Sequence, residues 1–195
     1  MSLRDRKWRG GGPALVVMAG LVLCLALPLG CTASASPEEA AQGVVASDRV
    51  YTADDLSSMG FKKSKRYDVD GLPEAVDALS GFWGPDPYNR KDFEIRFYDS
   101  HKDAVEYGPA LADEASGDDA KLEEETATWK EGIKDRRRMA SGGSDDLMAW
   151  SGSVVPKFGD YSIFANMVIL CEGLNPAEAQ ETCASFISAL EALGE

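Results

Sequence analysis

The sequence predicts an α+β domain: an antiparallel sheet of about four strands with helices packed on one face, an arrangement that a ferredoxin-like two-layer sandwich would satisfy. Three observations predict it. Phe93, Ile95 and Phe97 alternate with Glu94, Arg96 and Tyr98, the period of a half-buried strand. Residues 161–171 are apolar on both faces, with Ile163, Ala165, Met167 and Ile169 on one and Phe164, Val168 and Leu170 on the other, which suits a central strand. Ala179, Cys183, Phe186, Ile187, Leu190 and Leu193 recur at helical spacing near the end of the chain.

The chain opens on Arg4, Arg6, Lys7 and Arg9, followed by an apolar run over 14–29 and then by small residues. That order is the pattern of a secretory signal. The run ends in Gly30-Cys31 and so resembles the lipobox of bacterial lipoprotein signals. Pro28 and Leu29 depart from the aliphatic and small residues usual just before it. The resemblance implies cleavage before Cys31, a lipid on that cysteine, and a membrane partner held through the lipid. The alternative is an ordinary signal cut near Ala33 or Ala35, which would release the protein. The apolar run is shorter than the ~20 residues of a spanning helix. The chain thus divides into a lipoprotein signal peptide (1–30), a lipidated cysteine with an Ala/Ser-rich tether (31–48), and one extracytoplasmic α+β domain (49–195), placed at the cell envelope.

Thr52 and Asp55 stand at capping-box spacing and start a short helix that Gly60 stops. Residues 61–68 read as an edge strand whose Lys62, Lys63, Lys65 and Arg66 discourage sheet-to-sheet pairing. Leu72, Ala75, Val76 and Leu79 have helical spacing, with Asp70 as N-cap and Pro73 in the first turn, so a helix is expected over 72–80. The Gly- and Pro-rich stretch 82–89 follows as a loop. After the strand at 92–99, Ser100 and Asp103 start a helix that Pro109 should kink near Tyr107 and Gly108.

Leu122, Thr126, Trp129 and Ile133 form a narrow stripe, and acids precede bases along it, so a second helix is expected over 119–136. Residues 147–155 and 161–171 read as a hairpin turning at 156–160. Asn166 is the polar exception within the apolar run of the second strand. Asn175, Pro176 and Glu178 are N-cap, N1 and N3 of the last helix.

The net charge is −13. Residues 1–30 hold four of the 20 basic and one of the 33 acidic residues, so the remainder carries −16. So acidic a domain repels nucleic acid, and no nucleic-acid partner is expected. Cys24 leaves with the signal and Cys31 takes the lipid, which leaves Cys171 and Cys183 as a pair in an oxidising compartment. A strand ending at Cys171 and a helix running back over it would bring the two together as a disulfide.

No catalytic set is legible. His101 is the single histidine, it lies among capping residues, and no Gly-x-Ser-x-Gly elbow accompanies it. Asp68-Val69-Asp70-Gly71 lacks the later ligands of a calcium loop, so neither a metal site nor a cofactor is expected. Two groups could hold a ligand. Trp83 and Tyr88 could stack on a flat molecule or else plug the core. Arg136, Arg137 and Arg138 could hold an anion or simply terminate a helix. The function expected is a membrane-anchored module that binds a ligand or an unknown protein. The alternative is a lipoprotein hydrolase using a carboxylate pair or a Ser-Lys mechanism.

Overall fold

The computed structural model describes residues 43–139 and 153–194. Among them are eight strands and three α-helices: β1 (Val44–Val45), α1 (Ala53–Ser58), β2 (Lys62–Tyr67), β3 (Ala75–Trp83), β4 (Lys91–Tyr98), α2 (His101–Asp113), β5 (Arg137–Met139), β6 (Val154–Pro156), β7 (Phe158–Phe164), β8 (Met167–Glu172) and α3 (Pro176–Glu191). Six of the strands form one sheet in the order β1-β7-β8-β4-β3-β2. Only the β1–β7 pair is parallel. The class is therefore α+β, with six strands in the sheet where about four were expected. The sheet begins at Val44, inside the stretch read as tether, because Gly43 and Val45 carbonyls accept from Ile163 and Ala165 amides of β7 and its turn.

Helices cover both faces, not one. The β4 residues Phe93, Ile95 and Phe97 and the β8 residues Met167, Ile169 and Cys171 bury against α1 and α3, with Leu56, Phe186 and Leu190. The opposite residues, Tyr98, Val168 and Leu170, bury against Ala104 and Ala112 of α2. A sheet whose central strands are apolar on two sides needs two covers, which a two-layer sandwich cannot supply. Gly108 lets α2 approach the sheet, since a Cβ there would collide with Val168 Cγ2. Pro109 sits inside α2, which runs unbroken from His101 to Asp113.

The capping signals mark real ends. The Thr52 amide donates to Asp55 Oδ2 at 2.9 Å, the Asp103 amide to Ser100 Oγ, and the Glu178 amide to Asn175 Oδ1. The helix expected over 72–80 is instead strand β3. Ala78 and Leu79 are adjacent and both buried, on opposite faces, because β2 and β4 flank this strand. Its Leu/Ala/Val content fits either state, and the pairing decides. The turn before β3 places Glu74 at φ 55°.

The helix expected over 119–136 is a series of turns. Gly132 at φ 74° breaks any helix there, and Thr126 of the supposed stripe is exposed. Trp129 and Ile133 do bury, as side chains of an irregular cover over β2–β4. The hairpin is also displaced. It joins β7 to β8 through Ala165-Asn166, the middle of the expected single strand, so Ile163 pairs with Val168 and shares its face. Val154–Pro156 pairs with Arg137–Met139 in a separate ribbon. Residues 147–152 of the expected strand lie outside the described residues.

The β7–β8 turn is held from inside. Ala165 adopts φ 50°. The Asn166 side chain accepts from the Tyr51 amide at 2.7 Å and donates to the Tyr51 and Tyr98 carbonyls at 3.1 and 2.9 Å. The polar exception of the sequence is thus a buried, fully used hub, which meets the cost of putting an amide in the core.

Candidate functional site

The three consecutive arginines go to three places. Arg136 points inward from the cover and meets the sheet at β4, where Glu94 and Arg96 share a face as residues two apart. Arg136 Nε donates to Glu94 Oε2 at 2.7 Å and its Nη2 to Oε1 at 3.1 Å. Arg96 Nε and Nη2 donate to Glu94 Oε1 at 2.9 and 2.8 Å. All three are buried, at 1% (Glu94), 0% (Arg96) and 3% (Arg136) exposure. The Trp129 ring lies 5.1 Å from the Arg96 guanidinium carbon and 4.8 Å from that of Arg136, a cation–π contact with each. Burial pushes the Glu94 carboxyl up, but the two guanidiniums outweigh it and hold it below the usual range. Burial lowers the Arg96 pKa against the pull of Glu94.

Strand β4 was expected to be half-buried. It is buried on both sides because its two charges neutralise one another under the cover. Opposite charges at Glu94 and Arg96, two apart on a strand, are the signal that could have indicated an internal ion pair.

Arg137 is spent on structure: its Nε donates to the Leu122 carbonyl at 2.6 Å and its Nη2 to Glu123 at 3.0 Å. Arg138 is different. It lines a cavity of about 590 Å³ together with Asp118, Val155, Phe158, Leu174 and Asn175. The cavity lies between the β5–β6 ribbon, the start of β7 and the turn from β8 into α3. Arg138 Nε is buried and has no hydrogen-bond partner among the described residues. The Glu178 carboxyl at N3 of α3 is held below the usual range by the Leu174 amide first, with Lys91 and Arg138 adding to it.

The aromatic pair also separates. Trp83 packs on the core, its ring edge-on to Phe186 at 5.5 Å and its Nε1 donating to the Met59 carbonyl at 3.1 Å. One edge borders a shallow cleft of about 330 Å³ with Lys91, Glu178 and Thr182. Tyr88 is 97% exposed at the β3–β4 turn and does not line that cleft. His101 Nδ1 lies 2.7 Å from the Ala165 carbonyl and donates to it, tying α2 to the β7–β8 turn. Cys171 and Cys183 are bonded, with Cα atoms 5.6 Å apart, and both are fully buried. Among the described residues, no group of three or more His, Cys, Asp or Glu could hold a metal ion.

These features define a class: an α+β domain with a six-stranded, mostly antiparallel sheet covered on both faces, clamped by one disulfide and one buried Arg–Glu–Arg cluster. Residues 52–192 match a protein family described as a family of unknown function (DUF6810), and the chain belongs to that family. No curated protein and no solved structure matches the chain.

Proposed function

We propose that the protein is a membrane-anchored extracytoplasmic lipoprotein whose folded domain binds a small anionic molecule at Arg138. The anchoring half rests on Gly30-Cys31 after the apolar run, and the Cys171–Cys183 bond agrees with an oxidising compartment. The binding half rests on one observation: Arg138, whose Nε is buried with no hydrogen-bond partner among the described residues, lines a cavity of about 590 Å³. That volume falls within the range of small-molecule sites. A carboxylate or phosphate group would accept from Arg138 in the geometry its planar fork favours, while Phe158, Val155 and Leu174 would cover an apolar body.

A thermal-shift panel of small carboxylates and phosphate esters tests this. A ligand at about one hundred times its Kd adds about 2.7 kcal/mol to stability, a rise of several degrees in Tm. Arg138→Met should keep the fold and abolish that rise. A panel that leaves the wild-type Tm unchanged, or a rise of equal size in Arg138→Met, contradicts the assignment of this cavity.

A further inference from the structure

Strand β2 ends the sheet. It pairs with β3 on one side, and its outward amides and carbonyls have no backbone partner among the described residues. Residues 62–66 are all exposed, and four of these five are Lys62, Lys63, Lys65 and Arg66. The register places these charges on both faces. Lys62, Lys65 and Tyr67 stand opposite Phe82, Ser80 and Ala78, whereas Lys63 and Arg66 stand opposite Gly81 and Leu79, with a β-bulge between Lys63 and Lys65. Lys65 and Arg66 reach Asp135 and Asp77 within the molecule. Lys62 and Lys63 make no ion pair among the described residues. This concentration of positive charge occurs in a chain of net charge −13.

Lysines on an edge strand repel a second edge of the same kind, which protects against aggregation. The same charges make the edge selective, because a strand bearing acids is attracted where a neutral or basic one is not. We propose that β2 is a docking edge for an extended acidic segment of a partner protein, which adds as a further strand. The cations lie on both faces, so the fitting segment carries acids at both odd and even positions, that is, in consecutive runs. A second copy of this chain does not fit, since β2 against β2 sets lysines opposite lysines. Backbone pairing would supply affinity and the charges would select the partner.

The test uses the full chain and the acetylated, amidated peptide Thr-Glu-Glu-Val-Glu-Glu-Thr. Amide hydrogen exchange should slow at the outward-facing amides of β2, and binding should weaken as salt is raised. Exchanging every Glu of the peptide for Lys should abolish binding. Lys62→Glu with Lys63→Glu, both on exposed side chains, should leave Tm unchanged and weaken binding at least about tenfold. A peptide N-methylated at alternate residues keeps its charge and should not bind. Protection away from β2, equal binding of the N-methylated peptide, no binding at all, or a dimer of the chain paired through β2 would each overturn the proposal.

Discussion

Glu94→Gln is expected to destabilise the domain by about 3–5 kcal/mol, because it leaves Arg96 and Arg136 buried with no counter-charge. In a domain of this size that lowers Tm by on the order of 10 °C. The loss comes from desolvation that is no longer compensated, so truncating all three ionic side chains should cost less than truncating one. A triple variant, Glu94→Leu with Arg96→Met and Arg136→Met, should recover much of the stability. The same carboxylate sets an acid limit. Its folded pKa lies below the ordinary 4.5, so the unfolded chain takes up the proton first. Its contribution is complete above about pH 4.5 and is lost as pH falls through the folded value. Urea unfolding of wild type and variants across pH 3–7 checks both statements. A Glu94→Gln variant within about 1 kcal/mol of wild type at pH 7 would show that the cluster does not hold the cover to the sheet.

Cys171→Ala with Cys183→Ala should lose about 3 kcal/mol. The bond closes a short loop, since the two positions are 12 residues apart, and the chain-entropy relation gives that magnitude for such a loop. It ties α3 to β8 from inside a core that excludes solvent at both sulfurs. Reducing agent should therefore act only through unfolding, and the native protein should resist it at temperatures well below Tm. Chemical denaturation of oxidised wild type and the double variant measures the difference. Two free thiols from these positions in the unfolded, unreduced protein would refute the bond, and equal stability would refute its contribution.

What the sequence reveals of the fold follows from which interactions are local. Caps act within four residues, so Thr52, Ser100 and Asn175 mark helix starts without any knowledge of the partner surfaces. The alternation around Ile95 likewise needs only the strand's own period. Strand β3 failed the same test because Leu72, Ala75, Val76 and Leu79 match a helical stripe, while the flanking strands that impose extension lie elsewhere in the chain. The turn at Ala165-Asn166 carries neither Gly nor Pro. It is set by Tyr51, Tyr98 and His101, none of which is near it in sequence. The cover over residues 119–136 misled for a related reason: Trp129 and Ile133 are apolar because they bury, and burial needs no helix.

The candidate ligand residues were legible only as types. A run of three arginines can be read as an anion site, yet Arg136 belongs to a core ion cluster and Arg137 to a carbonyl and a glutamate. Arg138 is the one of the three that lines the cavity of about 590 Å³, and nothing in the run distinguishes it. The disulfide was legible because Cys171 and Cys183 are the two cysteines beyond residue 31 and because a strand, a short turn and a helix running back can bring them together.

Anchoring through Cys31 is the central claim for this protein, and intact mass spectrometry of the mature chain from its native membrane tests it most directly. The expected result is an N-terminus at Cys31 with the added mass of a diacylglyceryl group, absent from Cys31→Ala. An unmodified N-terminus at Ala33 or beyond, or a chain that still begins at Met1, would contradict it.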